Sequence, residues 1–158
     1  MSTAKATFGA GCFWGVEAAL AAIPGVTATA VGFEGGTLPE PSYKSVCTDL
    51  TGHAEVVELD FDPAVVSYER LLEAFFSFHD PTTLNRQGPD EGTQYRSVIF
   101  YHDSEQKAAA EKMVAELTRE NRFRDPIVTQ IEPATIFWRA EEYHQKYLEK
   151  NGRNSCHI

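Results

Sequence analysis

The chain has 158 residues, of which 42% are apolar and 23% charged. That composition fits one soluble globular domain and excludes disordered and collagen-like classes. No apolar run reaches the ~20 residues of a membrane span, and residues 1–11 lack the basic start and apolar block of a secretory leader, so the expected setting is cytoplasmic and away from membranes. Acidic residues outnumber basic ones 23 to 14, for a net charge of −9, and such a surface repels a nucleic-acid backbone.

In chain order, residues 5–9 form a short predicted strand. Phe13, Val16, Leu20 and Ile23 recur at helical spacing until Pro24-Gly25 stops the pattern. Residues 26–33 read as a strand ending at Gly35-Gly36, and a loop rich in Pro, Ser and Thr runs on to Gly52. Residues 54–61 alternate as a strand. Tyr68, Leu71, Leu72, Phe75 and Phe76 mark a helix ending near His79-Asp80-Pro81. Residues 82–93 are polar and show no period. Residues 96–102 read as a strand, after which Asp103 with Gln106 three residues on makes a capping-box pattern. The helix it opens carries Ala110, Met113, Val114 and Leu117 on one face. A fifth strand is expected over 127–132 and a last helix over 140–150, with a polar, irregular tail beyond. The first six elements run β-α-β-β-α-β, which predicts a two-layer ferredoxin-like α/β sandwich with a mixed sheet. Residues 1–158 are expected to be a single catalytic domain. The stretches 35–52 and 81–93 are long for plain connections, and loops of that length are often functional.

The three cysteines, Cys12, Cys47 and Cys156, cannot all pair within one chain, and no two are spaced as a Cys-x-x-Cys redox pair or zinc knuckle. Cys12 stands in Gly9-Ala10-Gly11-Cys12-Phe13-Trp14-Gly15, at a strand-to-helix junction. Helix-terminal N–H groups and the helix dipole favour an anion there, which lowers a thiol pKa and promotes the reactive thiolate. A lone cysteine is more commonly a buried structural residue, but a glycine-flanked turn hides a side chain poorly. The spacings of other thiol chemistries are not met: Ala18 stands where a tyrosine phosphatase has arginine, Gly15 where a thioredoxin has its second cysteine, and Gly9 where a peroxiredoxin has Thr or Ser. Nothing in the sequence assigns His53, His79, His102 or His144 to Cys12.

Alternation over 54–61 puts Glu55 on one face with Val57, Leu59 and Phe61. A carboxyl among apolar neighbours is desolvated, which favours its neutral form, the form a proton donor needs. The competing reading has Glu55 reaching solvent from the strand end. Tyr43, Asp90 and Tyr95 lie in polar loop segments that say little by themselves. The histidines show no HxH or HxxxH spacing, so no metal site is expected.

Taken together, Gly11-Cys12-Phe13-Trp14-Gly15, Thr51-Gly52-His53-Ala54-Glu55 and Gly92-Thr93-Gln94-Tyr95-Arg96-Ser97 resemble the three ordered motifs of the A-type methionine sulfoxide reductases. The resemblance covers residues 6–150. It implies that Cys12 attacks the sulfoxide sulfur, that Glu55 protonates the oxygen, and that Tyr43 and Tyr95 hydrogen-bond that oxygen. It further implies that Asp90 organises the site and that Phe13 and Trp14 form the pocket for the S-methyl group. The product on Cys12 would be a sulfenic acid, which a resolving thiol converts to a disulfide. The family commonly carries that thiol in a C-terminal tail, which points to Cys156, with Cys47 a bystander. No bound cofactor is implied. Thioredoxin, or dithiothreitol in vitro, would be the reductant, methionine S-sulfoxide, free or in proteins, the substrate, and a monomer the working form. Phe33 replaces the tyrosine of the family's usual Gly-Tyr-x-Gly-Gly, and Ser155 stands where a tyrosine often precedes the tail cysteine. A generic thiol peroxidase or hydrolase, and a non-enzymatic ferredoxin-like binding module, are the alternatives.

Overall fold

A computed structural model of the chain describes residues 3–11, 13–36, 52–87 and 90–140, without the side chains of Phe13, Trp14 and Asp90. In order they form β1 (Ala4–Ala10), α1 (Phe13–Ala21), β2 (Val26–Glu34), β3 (Ala54–Phe61), α2 (Tyr68–Ser77), β4 (Arg86–Gln87) and β5 (Asp90–Glu91). A 3₁₀ turn (Thr93–Tyr95), β6 (Ser97–Tyr101), α3 (Ser104–Arg119), β7 (Gln130–Pro133) and β8 (Trp138–Arg139) follow. The main sheet has the order β7-β6-β1-β3-β2-β8. Only β6 and β7 run parallel; the other pairs are antiparallel. Its inner four strands, β6-β1-β3-β2, have the split βαβ order, so the expected mixed-sheet sandwich is present.

One face of the sheet carries the main core. Ala6, Phe8 and Ala10 of β1, Val31 and Phe33 of β2, and Val57, Leu59 and Phe61 of β3 are buried there against all three helices. α2 presents Tyr68, Leu71, Leu72, Phe75 and Phe76, the i, i+3, i+4, i+7 stripe of an amphipathic helix. Each fully buried Leu or Phe of that stripe contributes roughly 1.5–3 kcal/mol. Ser67 caps α2 by accepting the Arg70 N–H at 3.1 Å. Asp103 caps α3 by accepting from Gln106 N at 2.8 Å. The expected return bond of the capping box is displaced by one residue: Gln106 Oε1 accepts the N–H of His102, and its amide donates to the Lys5 carbonyl. The cap therefore also ties α3 to β1.

The opposite face carries a smaller core of Ala54, Val56, Val98 and Phe100, covered by Ala134 and Phe137 from the segment between β7 and β8. The cover packs so closely that a methyl group on Gly32 would collide with the Trp138 carbonyl and the Phe137 ring. Under it lies Glu34, fully buried. Its Oε2 accepts the Thr135 N–H at 3.0 Å, while Oε1 finds no hydrogen-bond partner among the described residues. Burial pushes this carboxyl up to about 7; the Thr135 N–H opposes the shift and Glu58 adds to it. A folded-state pKa above the unfolded one means the native protein holds the extra proton. Stability is therefore full below the usual carboxylate range and falls as pH rises toward 7. Glu34→Gln should remove that fall, gaining up to about 3 kcal/mol relative to wild type between pH 5 and pH 8. Urea unfolding at several pH values checks this, and parallel curves for the two proteins would refute it.

Strand ends differ from expectation where a backbone group is diverted. The fifth strand begins at Gln130 rather than 127, because Val128 N donates to the Pro81 carbonyl at 2.8 Å instead of joining the sheet. The fourth begins at Ser97, because Arg96 N closes the preceding turn onto Thr93 O. The two-residue strands β4, β5 and β8 were not expected; two residues carry no readable period. Residues 37–51, the helix expected over 140–150 apart from Ala140, and the tail lie outside the described residues.

Candidate active site

Four chain segments meet at one end of the sheet: the end of β1, the end of β2, the start of β3 and the start of β6. Ala10 lies opposite Ser97 and Phe33 opposite Glu55 in the strand registers. At Gly9 the packing is close, since an added methyl would lie 3.2 Å from the Glu55 carbonyl oxygen. Gly11, with φ at 97°, turns the chain out of β1 before α1 begins at Phe13. Only glycine adopts that backbone without strain. The turn leads β1, which pairs with the strand that carries Glu55, toward the N-terminal end of α1.

Glu55 is 1% exposed. It lies on the main-core face with Val57, Leu59 and Phe61, while Ala54 and Val56 face the second core. The expectation of a carboxyl on an apolar face holds, and the solvent-reaching alternative does not. Phe33, which stands in place of the usual tyrosine, is fully buried across from Glu55 and extends the apolar surroundings of that carboxyl.

Tyr95 ends the 3₁₀ turn, half-buried, with its N–H on the Gly92 carbonyl at 3.0 Å. The turn packs beside β3. Arg96 braces it from behind, donating from its guanidinium to Thr93 O at 2.8 Å and to Gln130 Oε1 at 3.2 Å. Glu55 and Tyr95 are therefore brought to the same end of the sheet. Cys12, Tyr43, Cys47 and Cys156 lie outside the described residues, as do the side chains of Phe13, Trp14 and Asp90.

The described histidines all have structural partners. His53, 2% exposed, accepts the Gly36 N–H on Nδ1 at 3.0 Å, closing the neck of the β2–β3 connection. His79 bonds Phe75 O and Ser97 Oγ. His102 bonds Thr7 Oγ1 at 2.8 Å, and burial pulls its imidazole below the usual histidine range. His144 lies outside the described residues. No group of three potential metal ligands gathers among the described residues, and none of their helices is long and apolar enough to cross a membrane. A hollow of about 660 Å³ between α2 and α3, lined in part by Phe76, Met113, Leu117 and Phe123, contains none of the candidate catalytic residues.

The model of the family described as "Peptide methionine sulfoxide reductase" matches residues 4–158. The chain belongs to the A-type peptide methionine sulfoxide reductase family. One reductase of this family, MsrA of Acidobacterium capsulatum, is 66% identical over 155 residues, covering 98% of this chain and 99% of its own. The MsrA of Methanothermobacter thermautotrophicus is 64% identical, over 98% and 91% of the two chains. Among solved structures, reduced Mxr1 from Saccharomyces cerevisiae superposes with a TM-score of 0.91 at 37% identity, over 98% of this chain and 89% of that one. Mxr1 has also been solved in complex with Trx2, at a TM-score of 0.62 and 25% identity, over 92% and 84% of the two chains.

Two buried polar groups near the site, Glu34 and His79, have no motif in the sequence that announces them. The alternation that placed Glu55 also puts Glu34 on the opposite, covered face of its strand. His79 directly precedes Asp80-Pro81 at a helix end, a position that invites tertiary bonds but does not name the partner.

Proposed function

We propose that this chain reduces methionine S-sulfoxide, free or in proteins, through thiol chemistry at Cys12. The observation that carries the reading is the fully buried Glu55 carboxyl, on the core face beside the end of β1 that leads to Cys12. The Cys12 thiolate attacks the sulfoxide sulfur while Glu55 gives its proton to the oxygen. Tyr43 and Tyr95 hydrogen-bond that oxygen, Asp90 orders the polar side of the site, and Phe13 and Trp14 receive the S-methyl group. The oxygen passes to the cysteine, so methionine leaves and a sulfenic acid remains. The Cys156 thiol attacks the sulfenic sulfur, water leaves, and a Cys12–Cys156 disulfide forms. A thioredoxin dithiol then reduces that disulfide and is itself oxidised; Mxr1, solved with Trx2, supports this partner. The same proposal has the enzyme working as a cytoplasmic monomer.

The direct test is incubation with the separated S and R epimers of a methionine sulfoxide peptide and dithiothreitol. The S epimer is reduced and the R epimer is not; an unreduced S epimer, or faster turnover of peroxide or an ester, sinks the reading. Cys156→Ser should complete one turnover, accumulate a sulfenic acid that a 1,3-dione traps, and stall with thioredoxin while dithiothreitol sustains it. A stall in Cys47→Ser instead would move the resolving role to Cys47.

A further inference from the structure

We infer that His79 is a positioning residue for this reaction, setting Tyr95 through a buried hydrogen-bond chain; the inference rests on the role proposed above for Tyr95. The chain runs from the Phe75 carbonyl to His79 Nδ1 (2.5 Å), from His79 Nε2 to Ser97 Oγ (2.8 Å), and on to Thr129 Oγ1 (2.7 Å). One constraint orients all of it. A carbonyl only accepts, so Nδ1 carries the proton, and in the neutral tautomer Nε2 then accepts. In that tautomer Ser97 donates its hydroxyl to His79, and its oxygen receives the Thr129 hydroxyl. Ser97 and His79 are both buried, and the imidazole packs against the rings of Phe75, Phe76 and Phe78. Breaking such a chain leaves a desolvated polar group, so its geometry is enforced.

Its location gives it consequence. Ser97 opens β6, two residues after Tyr95, and faces Ala10, two residues before Cys12. The residue after His79 holds the other side of the loop. The Asp80 N–H donates to Gln87 Oε1 at 2.9 Å, and the Gln87 amide donates back to Asp80 O at 2.8 Å. Gln87 belongs to β4, whose partner strand β5 begins at Asp90. The segment from Pro81 to Tyr95 thus has its neck on Asp80 and its exit on Ser97, and both are fastened at the C-terminal end of α2. In chemistry that depends on orientation, a displacement near 1 Å costs about a hundredfold.

The experiment measures single-turnover reduction of the S-sulfoxide peptide, with kcat and KM in parallel, corrected for folded fraction by circular dichroism. His79→Ala should lower the rate about tenfold or more, in kcat rather than KM. His79→Gln, whose amide oxygen takes the place of Nε2, should recover most of it. His79→Asn, which restores only the Phe75 bond, should not. In a Tyr95→Phe background, His79→Ala should add little, because both act through one contact. Ser97→Ala breaks the same link from the other end and should reproduce the loss if His79→Ala does not fold. Full rates in folded His79→Ala or in Ser97→Ala, equal rescue by Asn and Gln, or losses that simply add to that of Tyr95→Phe would overturn the inference. A silent Tyr95→Phe in an active wild-type enzyme overturns the role given to Tyr95, and the inference with it. An inactive wild type overturns the proposed function itself.

Discussion

Cys12→Ser leaves no detectable reduction of methionine S-sulfoxide, even with excess dithiothreitol. The reason is the destination of the oxygen atom. To release methionine, the attacking atom must accept the sulfoxide oxygen. Sulfur does so as a sulfenic acid, a stable first step of thiol oxidation. A serine oxygen would have to become a hydroperoxide, an oxidation far beyond what a sulfoxide supplies. A hydroxyl also ionises much less readily than a thiol, whose ordinary pKa of about 8.5 is lowered further at a helix N-terminus. Here α1 starts at Phe13, directly after position 12, and the positive φ of Gly11 makes that entry possible. Chromatographic separation of methionine from its sulfoxide reads the result, and any product above the no-enzyme control removes Cys12 from its role. Alkylation supports the same point: Cys12 in the native enzyme should react with iodoacetamide well below about pH 8.

Glu55→Gln slows the same step by about 10²–10⁴, the range of a well-placed general acid. The amide keeps the shape and can still hydrogen-bond, but it has no acidic proton to transfer. A sulfoxide oxygen is a poor leaving group until it is protonated, so the loss appears in single-turnover rates and not in substrate binding. Glu55 is 1% exposed, so bulk water is a poor substitute for its proton. In the wild type, the rate falls as pH rises and the acid ionises; in the Gln variant that limb of the profile is gone. A variant with wild-type pH dependence would show that Glu55 is structural. The fold should be unaffected, because the substitution exchanges groups of equal size in a packed wall that includes Phe33.

The motifs and the alternation of β3 were legible because they depend on neighbours in sequence. Period two separated Glu55, Val57, Leu59 and Phe61 from Ala54 and Val56, and the two cores follow that division. Period 3.6 found the buried stripe of α2, and Asp103 announced the start of α3. β8 could not be found this way. It is a two-residue strand held by pairing with Gly32 and Phe33, more than a hundred residues earlier in the chain. The shortened ends of β6 and β7 have the same origin, in hydrogen bonds that only the assembled fold offers to Arg96 and Val128.

The residues proposed to react stand out in the chain through local patterns: a cysteine between glycines at a predicted helix start, a carboxyl on an apolar strand face. The meeting of the segments around them was decided by the tertiary structure. The register Ala10 to Ser97 and Phe33 to Glu55 brings four distant segments to one end of the sheet, and register is a property of paired strands. The same holds for Glu34 and His79. Burial and hydrogen bonding depend on what lies across the fold, so the Glu34 carboxyl, with its raised pKa, and the His79–Ser97 link take their character from partners outside their own sequence neighbourhoods.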